Sequence, residues 1–214
     1  MSSIHFDALP HNIRCALQRV EEVLTGILVK IYSYWWGVDL GAGGSFCGLP
    51  RFRRPPAARI RIGSRCRFLS RFSANLHGIN RPCMLAALDR GAVIEIGEDC
   101  GMSGTVVSAK TRVEIGNRVL CGANTTISDT DSHPLDYRQR NPTYFGLQIG
   151  TPDGTKSSPV KIDDDVWLGM NVIVLKGVHI GKGVVVAANS VVATSLPEYV
   201  LAGGSPAKII RKLS

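Results

Sequence analysis

From Ile162 to Pro197 the chain repeats in sixes: IDDDVW, LGMNVI, VLKGVH, IGKGVV, VAANSV, VATSLP. Every first position is aliphatic (Ile162, Leu168, Val174, Ile180, Val186, Val192), and the second is Asp, Gly or Ala in all but Leu175. The fifth position is Val in four of these hexads. Apolar residues therefore recur at intervals of four and two. Even spacings fit extended chain, whose side chains alternate between faces, and do not fit a helix of period 3.6. Small residues at regular corners let an extended chain bend, and three such faces close a triangular coil. A single hexad cannot bury its own apolar side, so only a stack of coils is stable.

Weaker copies lie upstream. Ile62-Gly63, Ile96-Gly97 and Ile115-Gly116 head further hexads, and IGNRVL, CGANTT, ISDTDS run in step from 115 to 132. Ile96 to Ile115 is one residue longer than three hexads, which predicts a one-residue irregularity in that coil. The register is blurred between Ile62 and Ile96. Residues 133–159, rich in Pro and Gly, break the pattern and read as a loop expelled from the coil, a common location for function. Before the repeat, Asn12 can cap a helix in which Ile13, Leu17, Val20, Leu24, Ile27/Leu28 and Ile31 recur at helical spacing, with Arg14, Gln18, Arg19, Glu21 and Lys30 on its other face. That apolar stripe predicts a helix that covers the open end of the solenoid or packs on a neighbouring subunit. Tyr32, Tyr34, Trp35 and Trp36 at its end allow docking on a membrane surface instead. The expected organisation is a helical segment with a basic linker over 1–57 and a solenoid domain over 58–214.

The composition, 44% hydrophobic and 20% charged over 214 residues, suits one globular domain with a short appendage and excludes a disordered chain. The longest apolar stretch, Val23 to Val38, is interrupted by Lys30 and is shorter than the ~20 residues of a membrane span. The first residues have neither the basic nor the apolar region of a cleavable signal, so the expectation is a cytoplasmic protein. Six cysteines (15, 47, 66, 83, 100, 121) form no C-x-x-C pair and read as reduced core-filling thiols. Charge is uneven: residues 1–75 hold 11 Lys/Arg against 4 Asp/Glu, and 51–71 hold eight arginines and no acid. Such a stripe is either a solvated outer face or a peripheral contact with an anionic membrane or acidic glycan. No nucleic-acid motif accompanies it, and nucleic acid is not expected as a partner.

The hexads, the loop entered through Asp129-Thr130-Asp131-Ser132-His133-Pro134, the VWLG at 166–169 and the AGGSPAK at 202–208 resemble the hexapeptide-repeat O-acetyltransferases, and within them the sugar-modifying group of galactoside, maltose and exopolysaccharide acetyltransferases. The resemblance covers about residues 58–212. It implies an all-β solenoid of left-handed parallel β-helix type, a homotrimer, and acetyl-CoA as cosubstrate bound between adjacent prisms.

Moving an acetyl group from a thioester to a sugar hydroxyl requires a base that removes the proton as the oxygen attacks, work for which an imidazole is suited near neutral pH. His133, at the junction of coil and loop, occupies the family's catalytic position. His5, His11, His77 and His179 have no such context. Asp131 or Asp129 could orient the imidazole or touch the acceptor, the alternative for both being turn chemistry at the coil's exit. Carried over from the family, Trp167 flanks the histidine across the subunit boundary. Met170 takes a cofactor-binding position where relatives often have a small or polar residue, Ala188 matches a backbone contact to the pantetheine arm, and Ala193 and Thr194 stand where a Thr-Lys pair is usual, so a lysine contact is lost. Lys208 and Arg211 match basic positions near the nucleotide. No metal is expected: three histidines for a zinc site are not spaced to meet. No serine nucleophile motif is present, so direct transfer is the implied mechanism, in polysaccharide or glycolipid assembly. The alternative is an inert β-helix scaffold or membrane-recruited binding module.

Overall fold

The computed structural model describes residues 8–140 and 154–213. A helix, α1 (Ala8–Trp36), leads into six triangular coils. The first comprises β1 (Asp39–Leu40), β2 (Ser45–Cys47) and β3 (Arg51–Arg53), and the second β4 (Arg59–Ile62), β5 (Arg67–Leu69) and β6 (Met84–Ala87). The third has β7 (Val93–Ile96), β8 (Gly101–Ser103) and β9 (Val106–Ala109), and the fourth β10 (Arg112–Ile115), β11 (Leu120–Cys121) and β12 (Thr126–Ser128). Beyond the excursion come β13 (Val160–Ile162), β14 (Trp167–Leu168) and β15 (Ile173–Val174), then β16 (His179–Ile180), β17 (Val185–Val186) and β18 (Val191–Val192). Corresponding strands stack as three parallel sheets. Sheet A is β1-β4-β7-β10-β13-β16, sheet B is β2-β5-β8-β11-β14-β17, and sheet C is β3-β6-β9-β12-β15-β18. A hairpin of β19 (Val200–Gly204) and β20 (Ala207–Lys212) extends sheet B, with β19 parallel to β17 and β20 antiparallel to β19.

The first positions of the hexads form the interior. Ile62, Ile96, Ile115, Ile162 and Ile180 stack in register down sheet A, and Phe68, Met102, Cys121, Leu168 and Val186 down sheet B. All are buried. Parallel strands need a partner above and below, and each corner backbone also donates to the coil beyond: Gly63 N to Ile96 O, Gly97 N to Ile115 O, Gly116 N to Ile162 O, all at 2.7–2.8 Å. At the A/B corner Gly97 leaves no room for a side chain: a Cβ there would lie 2.6 Å from the Gly116 backbone.

Arginines and carboxylates join coils outside that corner. Arg65 holds Glu98 and Asp99, and Arg118 holds Asp164 and Asp165, at 2.6–3.2 Å. Hydrogen bonds from Arg65 and Arg118 hold the Asp99 and Asp165 carboxyls below the usual carboxylate range; the Asn117 backbone N–H does the same for Asp164. Their contribution is therefore complete above the ordinary carboxylate pKa and lost as pH falls through the lowered values. Five of the six cysteines are buried and none is in a disulfide, and burial pushes the Cys121 thiol up to about 12.

Three features differ from the sequence reading. The solenoid starts at Asp39 rather than at residue 58: β1, β2 and β3 pair in register with the second coil, so most of the expected linker is a coil, whose first positions Leu40, Phe46 and Phe52 stand six apart but carry aromatic rings in two of three places. The blurred register after Ile62 is a second excursion between sheets B and C. It carries a 3-10 turn at Phe72–Ala74 and is pinned by Arg81, which donates to Gly104 O, Asn124 O and Thr126 Oγ1.

The third difference concerns α1. It packs against the first coil through Thr25, Val29 and Ser33, with Tyr32 stacked on Phe52 at 5.4 Å. Glu21 and Glu22 reach Arg71 and Arg67 at 2.6 and 3.3 Å. The apolar stripe expected to cover the solenoid points outward: Ile13, Leu17, Val20, Leu24, Ile27, Leu28 and Ile31 are each more than half exposed. The acidic pair, drawn to the arginines of the second coil, sets this rotation of the helix.

Gly97→Ala should lower stability to urea by ~1–3 kcal/mol, the usual cost of overpacking. Gly26→Ala, in α1 with open space around it, should raise it by ~0.5–1 kcal/mol, as alanine does in helix interiors. Equal effects at the two sites would contradict the close-stacked corner.

Candidate active site

The excursion leaves the prism after β12 at the edge between sheets C and A. Its stem is closed by antiparallel contacts: Thr130 bridges Ser157, Asp131 N donates to Lys156 O, and Ser158 N donates to Asp129 O. Ser132 adopts φ +66°, in the left-handed region, and turns the chain so that His133 is exposed just outside the stem. Residues 141–153 of the expected loop lie outside the described residues, and no hydrogen bond to His133 is present among the described ones.

The two aspartates of the stem serve different ends. Asp129 is fully buried, and its carboxylate accepts from the backbone N–H groups of Lys110, Thr111 and Arg112 and from the Thr111 hydroxyl, at 2.6–2.7 Å. Those donors form the C/A corner of the third coil, where the chain between Val107 and Ile115 is two residues longer than a hexad. Asp129 therefore clamps the irregular corner from the coil below, and the role expected for it beside the imidazole does not fit an oxygen pair already filled. Asp131 is different. Its Oδ1 meets Lys176 Nζ at 2.7 Å, while its Oδ2 is buried with no hydrogen-bond partner among the described residues. Lys176 was not singled out in the sequence; the signal was there, because its hexad is the one whose second position, Leu175, breaks the small-residue rule.

The other candidates fall into two groups. Ala193 and Thr194 follow β18 at the C/A edge, exposed, on the same edge as His133 and Asp131. Trp167 stands on the outer face of sheet B, 54% exposed, in register with Leu120 above and Val185 below. It borders a recess of about 160 Å³ with Arg67, Gly101 and Leu120. Gly101 keeps that recess open: a Cβ there would come within 3.0 Å of the Leu120 side chain. Met170 and Ala188 follow β14 and β17 at the B/C corner, where Asn189 N donates to Met170 O at 2.8 Å. Lys208 and Arg211 lie exposed on β20, which extends sheet B.

Because each coil runs A, B, C and back to A, the C/A edge and the face of sheet B are on opposite sides of the prism. One chain thus carries two half-sites that cannot meet each other. One has an exposed imidazole on the same stem as the Asp131 carboxylate; the other has an exposed indole, a shallow recess and two exposed cations. Among the described residues no group of three or more His, Cys, Asp and Glu side chains is arranged to hold a metal ion.

Comparison with known proteins agrees with this architecture. The family model for the bacterial transferase hexapeptide (six repeats) matches residues 159–194. A Schizosaccharomyces pombe protein named provisionally as an acetyltransferase is 46% identical over 47% of this chain and 44% of its own length. Galactoside O-acetyltransferase of Lactococcus lactis is 40% identical over 49% of this chain and 45% of its own length. The matched region thus spans less than half of either relative. Among solved structures, a mutant of the N-acyltransferase AntD from Bacillus cereus, in complex with dTDP-4-amino-4,6-dideoxyglucose and coenzyme A, superimposes with a TM-score of 0.61. It is 18% identical over 86% of this chain and 89% of that one, a likeness of fold. That fold is the left-handed parallel β-helix with an N-terminal helix.

Replacing Asp129 by Ala should lower stability by roughly 1–3 kcal/mol, because it strands three part-buried backbone donors at once. Urea unfolding measures this, and a change below ~0.5 kcal/mol, typical of neutral surface substitutions, would remove the clamp from the account.

Proposed function

We propose that this chain, which belongs to the hexapeptide-repeat family, is an acetyl-CoA-dependent O-acetyltransferase acting on a sugar hydroxyl. The observation that carries the reading is the separation of the two half-sites on opposite sides of one prism. Three copies arranged head to tail around a threefold axis would bring the C/A edge of each against the sheet B face of the next, a heterologous contact that closes into a ring. The cleft so formed would hold the cosubstrate along Met170 and Ala188, with Ala193 and Thr194 of the adjoining copy opposite. Lys208 and Arg211 supply cations for its phosphates, the guanidinium being able to pair with two phosphate oxygens. The relative named galactoside O-acetyltransferase supports a saccharide hydroxyl as the acceptor class, here on a polysaccharide or glycolipid building block.

In this reading His133 accepts the proton of the acceptor hydroxyl as its oxygen attacks the thioester carbonyl carbon. The carbonyl electrons move to oxygen, giving a tetrahedral adduct. Its collapse forms the ester, breaks the carbon–sulfur bond, and releases the thiolate, which takes the proton back from the imidazolium. A base that both receives and returns the proton is regenerated each turnover. Asp131, two residues away, has one oxygen on Lys176 and one buried oxygen without a hydrogen-bond partner among the described residues. A carboxylate in that condition is suited to fix the imidazole tautomer once the cleft closes. Trp167 of the neighbouring copy would wall the site from water.

His133→Ala should lower kcat by roughly 10²–10⁴ with acetyl-CoA affinity unchanged, the range for loss of a general base. Mixing that protein with inactive Trp167→Ala under subunit exchange should restore activity, since some clefts then receive both native residues. Activity of His133→Ala within a few-fold of the native protein would exclude the assignment, and no recovery despite proven exchange would exclude the shared cleft.

A further inference from the structure

The outward stripe of α1 is used neither by the solenoid nor by either half-site. At 3.6 residues per turn its side chains fill a continuous arc of about 140°, from Leu28 through Leu24, Ile31 and Ile27 to Val23, and run for about 33 Å along the helix. No charged residue interrupts the arc, and it ends in two exposed aromatic rings, Tyr34 at 89% and Trp35 at 83%. An apolar patch of this extent requires a partner.

We propose that this face lies on an anionic lipid bilayer. Three observations select lipid over a protein surface. First, the helix's charges are sorted. Both acids, Glu21 and Glu22, are turned inward onto Arg71 and Arg67, while Arg19 and Lys30 remain exposed on the flank of the stripe. The outward face is thus apolar with only cations beside it, complementary to acyl chains below a negatively charged headgroup layer. Second, the arc is wider than the two-position seam of a helix pair, because Val23, Leu28 and Trp35 broaden the row formed by Leu17, Leu24 and Ile31. Third, the only hydrogen-bonding side-chain groups on it are the Tyr34 hydroxyl and the Trp35 indole, at one end, where amphipathic rings sit at a bilayer interface. Between them and Ile13 nothing would fix the register of a protein partner, and lipid needs none. No described helix is long and apolar enough to cross a membrane, so the contact lies in the interface plane.

The proposal is independent of the acetyl-transfer reading and is tested on the full chain without substrate. The protein is floated with vesicles of phosphatidylcholine alone or with phosphatidylglycerol added, at low and high salt, while its mass is followed by ultracentrifugation and its fold by circular dichroism. Expected is binding to the anionic vesicles at low salt that weakens at high salt. It should fall by about fivefold for each of Arg19→Gln and Lys30→Gln. The exposed pair Leu24→Gln with Ile31→Gln should reduce it by at least about tenfold with fold and mass unchanged. Absence of binding to anionic vesicles at low salt overturns the proposal, as does binding indifferent to the Leu24/Ile31 pair. A drop in oligomeric mass caused by that pair would show that a second copy covers the stripe, and would overturn it equally.

Discussion

Everything in this molecule hangs on the requirement that an extended hexad has no stability of its own. Its apolar side chain and its backbone groups are both satisfied only by the coils above and below. The demand for a straight stack explains the corner glycines: where coil backbones approach closely, as at Gly63, Gly97 and Gly116, even a methyl group would separate the layers. It also explains why charged residues are outside and paired across coils. In the ladder Asp39, Arg61, Glu95, Glu114, Lys161, His179 each residue neighbours the next at strand spacing. Arg112 sits between Glu95 and Glu114 and relieves the one like-charge contact in the row.

A rigid stack has a functional consequence. It offers flat faces and straight edges but no deep interior, so any site must be built on excursions and between copies. The excursion stem is held by Asp129, which ties two coils together at the corner where the hexad count fails. A sequence irregularity in one coil and a buried carboxylate in the next are thus one feature. The stem in turn fixes Asp131 against Lys176 and turns His133 outward through the left-handed residue Ser132. The candidate chemistry depends on the stacking through this short chain of contacts.

The periodicity was legible where it was strict. The even spacing from Ile162 onward required extended strands facing inward at each first position, and the buried isoleucines and valines stand there. It was missed at the N-terminal coil, where Leu40, Phe46 and Phe52 keep the spacing of six and Gly41 stands at the corner, but aromatic rings replace the aliphatic residue at two of the first positions. It failed also in the orientation of α1, because periodicity reports that a helix has an apolar side and not which way that side turns. Two glutamates meeting two arginines decide that, and their pairing is a property of the assembled coils. The candidate site was legible as residue types, and its division between copies only through the family resemblance: numbering along the chain does not reveal that His133 and Trp167 fall on opposite sides until each is assigned to an edge or a face.

The central claim is that the two half-sites act together across copies. A crystal structure of the protein with coenzyme A tests it most directly. The account predicts a ring of three copies with the thiol between His133 of one protomer and the sheet B face bearing Trp167 of its neighbour. Coenzyme A bound on a single prism, with no second copy at the C/A edge, would contradict it.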